Sequence, residues 1–124
     1  MKNKKTYLVC GRNKFKLELK ICNKVERFFG LMFMKRKKAE ALLFNFKKST
    51  TLTIHSFFVF FPFLALWLDD KNRIIDLKMI KPFTFSIKPT VPFYRIIEIP
   101  FNKKYNNLVK LVVGNSKDLN IEFA

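Results

Sequence analysis

The sequence predicts a mostly β fold, a small, partly open β-barrel or sandwich with one short helix near residues 24–34. Three observations lead there. Apolar types make up 49% of the 124 residues, enough to bury one core and to make residues 1–124 a single domain. Phe15, Leu17, Leu19 and Ile21 alternate with Lys16, Glu18, Lys20 and Cys22, the period of two that marks a half-buried strand. Beyond Leu42, apolar runs of strand length recur between turn residues and prolines, without a linker or internal repeat.

The elements follow in order. Residues 1–5 are expected to be a frayed end, and Thr6–Cys10 a short strand closed by a turn at Gly11-Arg12-Asn13. The alternating run from Phe15 pairs back on it. At Asn23 the period changes: Asn23 is a good N-cap, Glu26 stands three positions on as in a capping box, and Val25, Phe28, Phe29 and Met32 recur at helical spacing. Gly30 inside that helix costs about 1 kcal/mol against Ala, which points to close packing against something. Lys35-Arg36-Lys37-Lys38 is a charged loop. Residues 41–46, 54–60 and 63–68 read as strands, and Asp69-Asp70-Lys71-Asn72 turns the last of these into a hairpin with residues 73–80. Pro82, Pro89 and Pro92 punctuate a loop in which Phe83, Phe85 and Ile87 alternate. Tyr94–Ile99 is another strand, stopped by Pro100. Residues 102–109 are polar with room for a helical turn, and residues 111–113 and 119–123 read as a last pair of strand pieces.

The charge is the loudest signal. Twenty-five Lys and Arg against nine Asp and Glu leave a formal +16, and residues 1–48 hold most of the excess. Two readings stand side by side. In one, Lys14, Lys16, Lys20, Lys35, Arg36, Lys37, Lys38, Lys47 and Lys48 form one basic face that binds nucleic acid, or another polyanion, without regard to sequence; the same face would suit anionic lipid headgroups. In the other, the excess is drift. Twenty of the 25 cations are Lys, and Lys, Asn, Ile and Phe, all abundant here, are the residues with A/T-rich codons. Lys is also a point charge, not the planar fork that grips phosphate in two places.

Other classes are narrowed by composition. Three glycines and one histidine exclude a glycine-rich phosphate cradle and a multi-histidine metal site, and no cofactor is expected. Residues 49–68 lack any charge, but Ser49, Thr50, Thr51, Thr53, His55 and Ser56 leave an apolar core of only about a dozen residues, with Pro62 inside it. That suits strands better than a membrane span, which needs about 20 residues. The apolar part of the N-terminus is too short for a signal core, so a cytoplasmic protein is expected. Cys10 and Cys22 are expected to be free thiols, because a hairpin at Gly11 leaves Cys22 opposite the extreme N-terminus. No nucleophile, base or paired carboxylates form a catalytic constellation. The third functional reading is a small-ligand pocket or active site around His55, with Ser56 or Asp69 in reach; against it, His55 reads as a structural hydrogen-bonding residue and Asp69 as turn chemistry.

Gly30-Leu31-Met32-Phe33, a basic loop and Leu42-Leu43-Phe44-Asn45-Phe46 together resemble the core of domain-of-unknown-function family 192, found in archaea and bacteria. Residues 54–62, from Ile54-His55-Ser56 to Phe61-Pro62, are similar to a stretch of its archaeal branch. Leu66-Trp67-Leu68-Asp69, Asn72-Arg73-Ile74-Ile75, Lys81-Pro82, Tyr94–Pro100 and Val113-Gly114 keep the order of later landmarks. The resemblance covers about residues 15–123 and implies a compact, barrel-like, mostly β domain, with no established activity, cofactor or substrate. Leu64 stands where the family often has Asp, and Val59 where many members have Met. Together with the composition, this predicts a small non-catalytic binding module.

Overall fold

A computed structural model describes residues 2–10, 12–23, 30–114 and 119–123. Its centre is one seven-stranded sheet: β1 (Lys2–Cys10), β2 (Asn13–Ile21), β3 (Leu42–Thr50), β4 (Phe63–Leu68), β5 (Ile74–Ile80), β6 (Phe93–Pro100) and β7 (Leu119–Phe123). The order across the sheet is β5-β4-β6-β3-β2-β1-β7. Every pairing is antiparallel except β2 with β3. A bridge between Arg73 and Asn120 brings the two edge strands back together at one point, so the sheet curls into a half-barrel, as the sequence predicts.

The two faces of the sheet bury different sets of residues, in step with the period of two. Leu8, Leu17, Leu19, Leu43, Leu66, Ile97 and Ile121 share one cluster drawn from both ends of the sheet. The sheet curls around this cluster, and the helix α1 (Asn106–Gly114) closes it with Val109 and Val112. The opposite face carries Leu42, Phe44, Phe63, Ala65, Trp67 and Ile96, covered by loop residues Leu31, Val59, Phe61 and Ile87. β4, which has apolar residues at every position, is buried on both sides.

Several expectations are corrected. Lys2–Lys5 are not frayed: they pair with Glu18–Ile21 across the first hairpin. Of the helix expected over 24–34, residues 24–29 lie outside the described residues, and residues 30–33 form a turn, with Gly30 at φ 51°. Residues 54–60 do not make a strand. Only Ile54 bridges Ile87, because Ser56 ties this segment crosswise to residues 81–84 and Phe58 sits at φ 57°, which no strand accommodates. The loop expected around Pro82, Pro89 and Pro92 is borne out, with Phe83 and Ser86 at positive φ and Ile87 bridging Ile54.

Residues 111–113 are helical instead of extended. Asn102 Oδ1 accepts hydrogen bonds from the Lys104 and Tyr105 N–H groups, as an N-cap does, and starts the turn that leads into α1. Cys10 and Cys22 are free thiols, Cys10 opposite Asn13 in the hairpin.

Candidate functional site

A cavity of about 430 Å³ opens on the loop-covered face of the sheet. Phe44 and Phe46 of β3, Phe63 of β4 and Ile96 and Glu98 of β6 form its floor; Gly30–Met32, Leu52–His55 and Val59 form its walls. Apart from Glu98, Thr53 and His55, the side chains around it are hydrocarbon, aromatic or thioether.

Glu98 is the anomaly. β6 is the central strand between β3 and β4, and alternation turns Ile97 and Ile99 toward the helix and Ile96 and Glu98 toward the loops. The cross-strand neighbours of Glu98 are Leu42 and Ala65, and the side chain is 6% exposed. No donor or cation among the described residues meets its carboxyl. Burial without compensation pushes that carboxyl from 4.5 up to about 8, since an apolar surround disfavours the charged form. At neutral pH it is mostly a protonated acid, an O–H donor aimed into an apolar cavity.

Gly30 completes this corner. A Cβ built on Gly30 would lie 3.5 Å from Glu98 Oε1 and 3.7 Å from Phe44. The backbone there is at φ 51°, a conformation glycine adopts without strain. The positive φ, not a lack of room, calls for glycine here: the distances to the pocket carboxyl and to Phe44 are ordinary contacts, which corrects the close packing expected of Gly30.

The three residues read from sequence as a pocket group separate. His55 lines the cavity but is exposed, with Nδ1 accepting the Phe57 N–H at 3.2 Å. Ser56 is fully buried and structural: its hydroxyl donates to the Lys81 carbonyl at 2.7 Å and accepts from the Thr84 N–H at 2.6 Å. Asp69 does not line the cavity. Its carboxylate accepts from the Lys71 and Arg73 N–H groups and from the Arg73 guanidinium at 2.7 Å. Partial burial pushes that carboxyl up, but the hydrogen bonds from Arg73 and Lys71 outweigh it and hold the carboxyl below its ordinary value. Sequence reasoning missed Glu98, although a lone carboxylate in the run Ile96–Ile99 was the signal available.

The basic residues do not share one face. Lys20 pairs in register with Leu42 across parallel strands. Lys14 and Lys47 therefore lie at opposite ends of the β2–β3 pair, on the order of 40 Å apart along the strands. On β2, Lys14, Lys16 and Lys20 each have a carboxylate in reach, Glu122 at 3.1 Å, Glu18 at 4.0 Å and Glu40 at 3.3 Å. Lys35–Lys38 form an exposed turn. Asn102 pins this turn by donating to the Arg36 and Ala39 carbonyls, and the Arg36 guanidinium donates to the Phe101 carbonyl at 2.8 Å. That staple brings exposed Lys103 and Lys104 beside the turn, two cations that the sequence reading did not group with it.

Among the described residues, no group of three or more His, Cys, Asp and Glu side chains converges to hold a metal ion, and no helix is long and apolar enough to cross a membrane.

Comparison with known proteins bears on both fold and family. A solved structure of a candidate transcription regulator from Sinorhizobium meliloti 1021 superposes with a TM-score of 0.80 over 98% of this chain and 94% of that one, at 17% identity. A protein of unknown function from Novosphingobium aromaticivorans gives 0.74 over 97% and 83%, at 12% identity. At such identities the likeness is one of fold. In sequence, UPF0127 protein PF1050 from Pyrococcus furiosus is 27% identical over 78 residues, 63% of this chain and 66% of that protein, just under two thirds of its length. The model of the family described as "Uncharacterized ACR", DUF192, matches residues 9–114, and the chain belongs to that family.

Proposed function

We propose that this protein is a non-catalytic binding module that holds a small, mainly apolar molecule in the cavity between β3, β6 and the 52–55 loop, with the Glu98 carboxyl as the polar contact that orients it. The observation that carries this reading is the Glu98 carboxyl on the floor of an apolar pocket, met by no donor or cation among the described residues. For folding alone, a hydrocarbon side chain at position 98 would be better, because moving a carboxyl from water into an apolar surround costs free energy. A pocket with apolar walls and one placed polar group is the usual form of a small-molecule site. The protonated acid favours ligands that present a carbonyl, amide or hydroxyl oxygen. A carboxylate ligand gains less, since it would itself have to give up water.

The test uses three ten-carbon probes with one chain and different heads: decanamide, decanoate and decylamine. Calorimetric titration at pH 7 should rank decanamide first, and Glu98→Leu should weaken it about tenfold or more, the worth of a buried hydrogen bond. Equal affinity for the wild type and Glu98→Leu would remove Glu98 from the reading; no binding of any probe would remove the pocket.

A second reading, sequence-independent binding of nucleic acid or another polyanion, is supported by the +16 charge and by the turn at Lys35–Lys38 held beside Lys103 and Lys104. The description of the Sinorhizobium neighbour as a candidate transcription regulator points the same way. Its test is a charge reversal, Lys35→Glu with Lys37→Glu, in a salt series against single- and double-stranded oligonucleotides. The archaeal character of residues 54–62 has the Pyrococcus relative in its support, and a cytoplasmic location remains part of this proposal.

A further inference from the structure

Beside the basic turn, the loops display aromatic side chains that the fold does not bury. Phe33, Phe58, Phe60 and Phe83 are 64%, 47%, 61% and 47% exposed, yet they touch one another in a chain. Phe33 stacks on Phe58 with centroids 5.0 Å apart, and Phe83 meets Phe58 at 6.4 Å and Phe60 at 5.4 Å, both edge to face. Three of the four, Phe33, Phe58 and Phe83, sit at φ 60°, 57° and 58°, a strained region for bulky residues. The strain is not offset by burial within the chain. The Phe33 N–H donates to the Phe58 carbonyl at 2.9 Å, and the Phe83 N–H to the Ser56 carbonyl at 2.8 Å. The three loops are thereby fixed with their rings displayed together.

The same end of the molecule carries the cations. Phe33 is two residues from Lys35. Phe60 is two residues from Pro62, whose carbonyl accepts the Phe101 N–H, and the Phe101 carbonyl in turn accepts from Arg36. Lys103 and Lys104 follow directly. No carboxylate pairs with Lys35, Arg36, Lys37 or Lys38 among the described residues, in contrast to the lysines of β2.

We infer that this end of the protein docks on an anionic lipid bilayer, the phenylalanine knob entering the interface and the Lys35–Lys38 turn lying against the headgroups. Anchors of this kind combine an apolar insertion with attraction of cations to negative headgroups. Single-stranded nucleic acid would also meet aromatics and cations, but it needs ring faces free to stack on bases. Here Phe33 and Phe58 each cover one face of the other, and Phe83 meets Phe58 and Phe60 edge to face, so the rings are clustered against one another and not spaced to receive successive bases. The knob is shaped to be immersed. This inference does not rest on the pocket reading, although Leu52 and His55 at the pocket mouth belong to the same loop region.

The test is co-sedimentation of the full chain with phosphatidylcholine vesicles, with and without phosphatidylglycerol, with a single-stranded oligonucleotide as competitor. Binding is expected only to the anionic vesicles, and it should weaken about tenfold or more from low to high salt. Phe60→Ser with Phe83→Ser, both exposed, should weaken it about tenfold while circular dichroism stays unchanged, and Lys35→Glu with Lys37→Glu should do the same. As a direct reporter, Phe60→Trp should be quenched by brominated lipid, against the constant background of buried Trp67. Three results would overturn the inference: no anionic-vesicle binding, vesicle binding indifferent to the phenylalanine pair, or oligonucleotide binding through these residues in place of vesicle binding.

Discussion

Glu98 concentrates the account at the scale of single residues. Its carboxyl keeps a proton in the folded state up to about pH 8, whereas in the unfolded chain the proton is lost near the ordinary value. Between about pH 4.5 and 8 the unfolded state therefore binds fewer protons than the folded one, so stability falls as pH rises through that window and is flat on either side. The loss accumulated by pH 7 is about 3 kcal/mol. Glu98→Gln should flatten the slope and raise stability at pH 7 by a similar amount, read from urea melts across pH. An unchanged slope in Glu98→Gln would refute the burial of a protonated acid. Gly30→Ala is expected to cost about 1–2 kcal/mol because of its positive φ. It should also weaken decanamide binding, since the added methyl abuts Glu98. The sequence carried a trace of both residues, a glycine in an apolar stretch and one carboxylate in a strand, but only the pairing of β6 with β3 shows that they meet.

Elements were legible where one period governed them. β2 alternates cleanly because one face is solvent, and the Asp69–Arg73 turn announces the β4–β5 hairpin through its own side-chain hydrogen bonds. Legibility ended where side chains, not periodicity, set the backbone. The run from Ile54 to Phe60 is rich in strand-forming residues, yet Ser56 diverts it by crossing to Lys81 and Thr84. Ser56→Ala should cost about 1–2 kcal/mol by removing both hydrogen bonds of a buried hydroxyl, although the Lys81 carbonyl keeps the Thr84 hydroxyl as a donor, and thermal melts should show it. The helix α1 was concealed because Leu108, Val109, Leu111 and Val112 fit a short strand as well as a helix; Asn102, its capping signal, sits in a stretch that reads only as polar. Asn102→Ala removes four hydrogen bonds at a buried site. It is expected to destabilise the protein by about 2–4 kcal/mol and to loosen the Lys35–Lys38 turn, which hydrogen exchange at Lys38 and Ala39 would report.

For the whole molecule, a large positive charge is a statement about partners, and the register of the sheet redistributes it. The sequence suggests one basic face drawn from Lys14 through Lys48. The parallel β2–β3 pairing separates Lys14 from Lys47, while Lys104, which follows the residues stapled to the Lys35–Lys38 turn, also lines a groove with Lys14 and Lys16. Lys14→Glu with Lys47→Glu changes net charge as much as Lys35→Glu with Lys37→Glu. Only the second pair should weaken binding to anionic vesicles about tenfold; equal effects would mean that overall charge, not this surface, governs the interaction.

The pocket and its acid remain the centre of the account, and the ionisation of Glu98 tests them most directly. In protein labelled with carbon-13 at the glutamate side-chain carboxyls, Glu98 should titrate near pH 8. Saturating decanamide should move it higher still, because a ligand that binds the protonated form raises the midpoint. A Glu98 signal that titrates near 4.5, the ordinary glutamate value, unmoved by any of the three probes, would contradict the account.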